Sequence, residues 1–255
     1  MFMIDLPILT YHQITPGPPP QNLKFAVSVI QFERQMTYLH KNGYKCVPLT
    51  EFSKNTNIRR VRRRRTVALT FDDGYENFYS VAFPILQSFG FTATVFVITN
   101  RIRERINQEC NADNRFLAWE QIKALRQNGI SFGSHCCSHP RLPDLSREKI
   151  QSELVVSKEI LETGLGEKTQ WLAYPYSAST PEIQKMAENA GYMAAFGGSR
   201  GISDRFNIWR RACQRDDKFA TFILRLNRWY HYPGYLRENT MPGKILRRIK
   251  HRFDF

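Results

Sequence analysis

TVALTFDDG, residues 66–74, is an apolar, β-branched run that stops abruptly at two carboxylates and a glycine. Six residues with no polar alternation read as a strand buried on both faces, the kind found in parallel sheets covered by helices. Downstream, Val81, Ile85, Leu86 and Phe89 fall at helical spacing and Gly90 stops the run. TATVFVIT (92–99) then reads as a second fully buried strand, WEQIKALRQNG (119–129) as an amphipathic helix, and ISFGS (130–134) as a third strand. Ser146 starts a helix to about Thr163, QWLAYP (170–175) is strand-like, Thr180-Pro181 is a helix start, and GYMAAF (191–196) is strand-like again. Upstream, PILTYHQ (7–13) and KCVPL (45–49) flank a helix capped by Ser28, with Phe32, Met36 and Leu39 on one face and Gly43 at its end. Strand and helix alternate with few hairpin signals, which predicts an α/β fold with a mostly parallel sheet and helices outside. One domain over residues 1–240, followed by a basic amphipathic tail over 241–255, is the economical division.

Bulk composition narrows the function. At 255 residues and 42% hydrophobic, the chain can bury a sizeable core. No apolar run approaches the roughly 20 residues a membrane-spanning helix needs. The N-terminus, MFMIDLPILTYHQ, carries no basic leader and does not read as a signal peptide. Five irregularly spaced cysteines (Cys46, Cys110, Cys136, Cys137 and Cys213) form no disulfide framework and fit a reducing compartment. The expected location is the cytoplasm or the cytoplasmic membrane surface. Of the net charge of +14, residues 53–66 contribute +7 and residues 241–255 contribute +4. Charge gathered in one loop and one tail, not along a groove, argues against specific nucleic-acid binding. Residues 58–65 and 244–252 are instead candidate contacts to an anionic membrane surface, because Ile245, Leu246, Ile249 and Phe253 form an apolar stripe among basic residues. A solvated loop and a helix docked on the domain are the plain alternatives.

In parallel α/β folds, chemistry gathers where strands end. Four polar clusters occupy such ends: His12, Asp72-Asp73, the GSHCCSHPRL segment (133–142), and Tyr174-Pro175-Tyr176. His135 and His139 offer two imidazoles, and one carboxylate of the Asp pair completes a three-ligand set that leaves positions open for water and substrate. The other carboxylate is then available as a general base. Alone, two histidines four apart or an Asp-Asp-Gly turn carries little weight; their convergence carries more. Cys136 and Cys137 are soft donors but read better as small buried thiols, and a vicinal disulfide would be strained. An iron oxygenase triad would use the same histidines but leaves one aspartate without a task.

TFDDGYENFYSVAFPILQSFGFTATVFVIT, WEQIKALRQNGISFGSHCCSHPRL and WLAYPYS together resemble the polysaccharide deacetylase family, carbohydrate esterase family 4 or the NodB-homology domain, from about Ile8 to about Asp217. The resemblance implies a distorted (β/α) barrel and metal-dependent removal of acetyl groups from N-acetylated sugars. It implies Asp72 as general base, Asp73, His135 and His139 as metal ligands, and the Tyr176 N–H as an oxyanion donor. Zinc is the expected metal, with cobalt, nickel or iron also compatible with the ligands.

Two departures matter. Many members carry an arginine where this chain has Ala173, and a late Leu-x-His motif is absent, His231 lying in WYHYP instead. Both resemble the poly-N-acetylglucosamine deacetylase branch, where an N-terminal Tyr-His supplies the acid histidine; LTYHQ makes His12 the counterpart. Ser177 stands where that branch usually has glycine, and either Arg210 or Arg211 is a candidate to orient Asp72. Tyr75, Trp119, Tyr174 and Tyr176 are candidate sugar-stacking rings, each equally readable as core. The expected function is therefore N-deacetylation of N-acetylglucosamine units in a polysaccharide or a lipid-linked precursor. A non-catalytic carbohydrate-binding relic and a polyanion-binding protein are the alternatives.

Overall fold

The computed structural model describes residues 6–50, 65–103, 115–197 and 205–227. The tail over 241–255, the basic segment 244–252, His231, Cys110 and all of the arginine loop except Arg65 lie outside these residues.

Strands β1 (Ile8–Tyr11), β5 (Thr66–Phe71), β6 (Thr94–Val97), β7 (Ser131–Ser134), β8 (Trp171–Ala173), β9 (Ala194–Phe196) and β10 (Arg211–Ala212) form one sheet in the order β10-β1-β5-β6-β7-β8-β9. Neighbours along this path pair in parallel. The short β4 (Lys45–Cys46) pairs with Thr66 and Val67, below the part of β5 that meets β6. A two-strand pair, β2 (Ile14–Thr15) and β3 (Val27–Ser28), precedes helix α1 (Val29–Lys41). Ile208 bridges Phe196 on one edge while Arg211 pairs with Leu9 on the other. The segment from 208 to 212 thereby joins both ends of the sheet and curls it into the distorted (β/α) barrel that the sequence implies.

Period-two alternation sorts the strand residues. Leu9, Tyr11, Val67, Leu69, Phe71, Val95 and Val97 face the helices, packing with Phe32, Met36, Leu39, Leu86, Ile122 and Leu125. Ile8, Ala68, Phe96, Trp171, Ala173, Ala194, Phe196 and Ile208 form a separate interior cluster. Both faces of β1, β5 and β6 are buried, which is why TVALTF shows no polar alternation. Gly133 belongs to the interior set: a Cβ there would lie 2.6 Å from the Phe96 ring and 2.9 Å from the Trp171 carbonyl.

The helix after Gly74 differs from expectation. A π-helical turn (Phe78–Ala82) leads into α2 (Phe83–Ser88), and the Phe83 N–H donates back to the Phe78 carbonyl. The wider turn puts Phe78, Ala82 and Leu86 against the core and leaves Val81, Ile85 and Phe89 only partly covered. The remaining helices follow the sequence reading, except the last, Phe219–Arg225, which that reading does not contain. Ser28 caps α1 in a reciprocal capping box with Gln31. Helix α3 (Trp119–Gln127) precedes β7, and α4 (Arg147–Leu165) starts at the Ser146 cap and ends at left-handed Gly166. Thr180 caps α5 (Pro181–Asn189), and α6 (Phe219–Arg225) packs Phe219 and Phe222 against Tyr38 of α1. Among the described residues, no helix is long and apolar enough to cross a membrane.

Candidate active site

Because all strands of the path run parallel, their C-terminal ends share one rim. Interior parity continues past each strand, from Thr10 to His12, Thr70 to Asp72, and Gly133 to His135. A cleft of about 830 Å³ opens there, lined by His12, Asp72, Asp73, His135, His139 and Tyr176 among others. The four clusters separated in sequence thus meet at one place.

Asp73, His135 and His139 form a cluster whose potential ligand atoms all lie within 4.8 Å of one another. Asp73 Oδ1 stands 3.5 Å from His135 Nε2 and 3.4 Å from His139 Nε2. Donors about 2.0–2.2 Å from a tetrahedral cation would stand about 3.3–3.6 Å apart, so these separations suit a cation between them. Two further observations agree. Asp73 Oδ1 is buried with no hydrogen-bond partner, and His135 Nδ1 lies 2.7 Å from the Ala173 carbonyl. That carbonyl accepts the Nδ1 proton and leaves the Nε2 lone pair toward the cluster. Burial holds the His135 pKa down at about 3 and also lowers that of His139, so both imidazoles are neutral donors near pH 7. Burial and the neighbouring Asp72 charge raise the Asp73 pKa to about 7. The residues fit a divalent cation.

Asp72 sits in the opposite electrostatic situation. Burial opposes its ionisation, but Arg210, His135 and His12 outweigh that penalty and hold its pKa at about 2. Arg210 grips it bidentately, Nη1 donating to Oδ1 at 2.6 Å and Nη2 to Oδ2 at 2.7 Å. The same guanidinium reaches Thr70 Oγ1 at 3.3 Å and lies over the Phe96 ring. Arg211 has a different task, donating to the Arg225 carbonyl and to the Asn227 carbonyl at 3.0 Å. Of the two arginines, Arg210 is the one on Asp72. His12 stacks on Phe25 at 4.8 Å, and its Nδ1 is buried without a partner. Burial lowers the His12 pKa, with the Asp72 charge acting against that shift.

The loops that carry these groups are conformationally costly. Asp73, Cys136, His139, Tyr176 and Ser177 all have positive φ. Non-glycine residues in that region cost of order 1–2 kcal/mol each, and such strain collects at functional sites. It is Asp73 itself, along with Gly74, that adopts the left-handed conformation at the carboxylate turn. Tyr176 is 67% exposed, and its ring tilts against His139 at 4.7 Å. Its N–H donates to no other group among the described residues, whereas the Ser177 N–H bonds the Tyr174 carbonyl. Ser177, at φ 54°, explains the glycine expected there from the related branch. Ser177→Gly should stabilise the protein by about 1 kcal/mol, raising Tm by about 2–4 °C in thermal unfolding.

Several other readings are sharpened. Cys136 and Cys137 are buried free thiols whose pKa values burial raises, and neither belongs to the cation cluster. Trp119 is the first residue of α3 and packs on Gly164, so it is a scaffold residue and not a sugar platform. Tyr75 stacks on Phe116 at 5.0 Å. Tyr174 is buried, with its hydroxyl donating to the Phe206 carbonyl at 3.1 Å. Phe25 and Trp209 also line the cleft, and sequence reasoning overlooked both. Neither stands in a motif or at a strand end, so no sequence signal distinguishes them from other aromatics.

A barrel rim that brings together an Asp/His/His trio able to hold a cation, an ion-paired carboxylate and a further imidazole is the kind of site a hydrolase uses. The family profile described as Polysaccharide deacetylase matches residues 59–195. The chain belongs to the polysaccharide deacetylase family. A relative from Bacillus subtilis (strain 168), provisionally described as polysaccharide deacetylase YxkH, is 33% identical over 200 residues, covering 78% of this chain and 67% of its own. The poly-beta-1,6-N-acetyl-D-glucosamine N-deacetylase of Staphylococcus aureus (strain MRSA252) is 26% identical, covering 79% and 72%. Among solved structures, the Streptococcus pyogenes deacetylase PplD in complex with acetate superposes with a TM-score of 0.76 at 26% identity, covering 87% of this chain and 98% of that one.

Proposed function

We propose that this chain is a metal-dependent N-deacetylase acting on N-acetylglucosamine units of a polysaccharide. The observation that carries the reading is the division of labour between adjacent carboxylates. Asp73 presents an unpartnered buried oxygen to two neutral imidazoles, while Asp72 is held ionised by Arg210 beside them. A divalent cation in the trio would supply Lewis acidity, making water more acidic and polarising the amide carbonyl. On this reading Asp72 takes the proton of the attacking water. The Tyr176 N–H donates to the oxygen that becomes negative, and its left-handed backbone fixes the direction of that donor. His12, across the cleft, protonates the departing amine so that the sugar leaves as a neutral amine and not as its anion. The poly-beta-1,6-N-acetyl-D-glucosamine deacetylase relative supports a polymer, and the acetate bound to the streptococcal relative suits an N-acetyl substrate. The alternative of a binding relic gives the Asp72–Arg210 pair nothing to do.

The test is acetate release from β-1,6-linked N-acetylglucosamine oligomers by protein stripped with a chelator and then resupplied with zinc, cobalt, nickel or iron. Release is expected only after metal is restored. Release that survives thorough chelation would overturn the metal role. Metal-saturated protein that leaves these oligomers intact would overturn the substrate.

A further inference from the structure

The two histidines of the trio are joined by Cys136, Cys137 and Ser138, and every backbone amide of that connector is tied down. The Cys136 N–H donates to Ser134 Oγ at 3.1 Å. Those of Cys137 and Ser138 both donate to one carboxylate oxygen, Glu153 Oε2, at 2.7 and 3.0 Å. The Ser138 hydroxyl donates to the other oxygen of the same group, Oε1, at 2.6 Å. On the far side, the carbonyls of Cys136 and Cys137 accept the N–H groups of Thr99 and Asn100 at 3.1 and 3.0 Å. One helical turn after Glu153, Ser157 of α4 anchors the strand end itself, its Oγ lying 2.7 Å from Ser134 Oγ.

The connector needs this holding. Cys136 and His139 both lie at positive φ, which a free non-glycine loop would leave. Of the groups that hold it, Glu153 is the only charged side chain, and it supplies three bonds at once. We infer that Glu153 is a positioning residue for the cation site: it sets the separation of His135 and His139, and through it the metal affinity, without touching metal or substrate. The inference rests on the cation-binding reading of the trio.

The chemistry of the side chain gives a graded test. A glutamine can accept both backbone N–H groups with its carbonyl oxygen and donate its amide N–H to Ser138 Oγ, so it can keep all three bonds without the charge. An alanine keeps none. Zinc dissociation constants for the full-length chain are read by competition with a chromophoric chelator, alongside metal-free Tm, with Glu159→Gln on the exposed face of α4 as the charge control. Glu153→Ala should weaken zinc binding about 10–100-fold. Glu153→Gln and Glu159→Gln should stay within about threefold of wild type, and acetate release by Glu153→Ala should recover at saturating metal. Unchanged zinc affinity in Glu153→Ala, with only a lowered metal-free Tm, would overturn the inference. So would equal weakening by Gln and Ala, which would mean that charge and not positioning carries the effect. A wild type that binds no divalent cation would overturn the metal centre and this inference with it.

Discussion

Asp72→Asn should lower kcat/KM for acetate release by about 10²–10⁴-fold, the usual range for loss of a positioned base. Zinc affinity should stay close to wild type, because the trio of Asp73, His135 and His139 remains whole. The separation of these effects is the point. A variant that lost metal and activity together would place Asp72 among the ligands. An asparagine also leaves Arg210 facing an amide in a buried setting, where breaking an ion pair costs about 3–5 kcal/mol. Metal-dependent stabilisation in thermal unfolding therefore serves as the control for folding. With a pKa near 2, Asp72 is ionised across the working pH range, so its titration should leave no acid limb between pH 5 and 8 in the rate profile. A carboxylate that weak in basicity suffices only where the water it serves has been acidified, which ties the base to the neighbouring trio. Asp73, with a pKa near 7, would be the better base on that criterion alone. Its unpartnered oxygen between two imidazoles assigns it the other role.

How far the fold could be read ahead depended on whether a signal was local. TVALTF and TATVFVIT show burial on both faces directly, and a mostly parallel sheet with chemistry at the strand ends Asp72 and His135 follows from them; its closure into a barrel came from the family resemblance alone. The ends of strands are also where turn residues break a run, so His12, Asp72, His135 and Tyr176 were all visible as polar clusters. What sequence could not display was pairing at a distance. Arg210 meets Asp72 across 138 residues, and nothing in IWRRACQ says which arginine points inward; strand parity at β10 decides it. Closure through Ile208 rests on an isolated bridge, too short to leave a strand pattern. The π-helical turn after Gly74 kept Leu86 of the expected stripe buried but replaced Val81, Ile85 and Phe89 by Phe78 and Ala82, because a hydrophobic count assumes 3.6 residues per turn. The left-handed conformation of Asp73 leaves no sequence signal, since the adjacent Gly74 alone accounts for a turn at that point.

Zinc affinity should fall steeply as pH drops below about 7, approaching tenfold per unit where one proton must be displaced, because the metal-free Asp73 carboxyl titrates near that pH. The stability effect runs in the same direction. A carboxyl whose folded pKa lies above its unfolded value near 3.9 favours the folded state while protonated, and this contribution is lost as pH rises through 7. Metal-free protein should therefore lose stability at Asp73 between pH 4 and 7, and added zinc should raise Tm more at pH 8 than at pH 5.5. Asp73→Asn removes the buried charge that causes the loss. At pH 8, without metal, this variant should melt at least about 3 °C above wild type while showing no zinc-dependent rise and no acetate release. Calorimetric scans at the two pH values, with and without zinc, check each term. An Asp73→Asn protein that still gains Tm with zinc would remove Asp73 from the site and leave two histidines without their carboxylate. A metal-free variant no more stable than wild type at pH 8 would mean that the Asp73 charge is already compensated, by Arg101, the Tyr75 hydroxyl or Arg210, the neighbours that draw its pKa down.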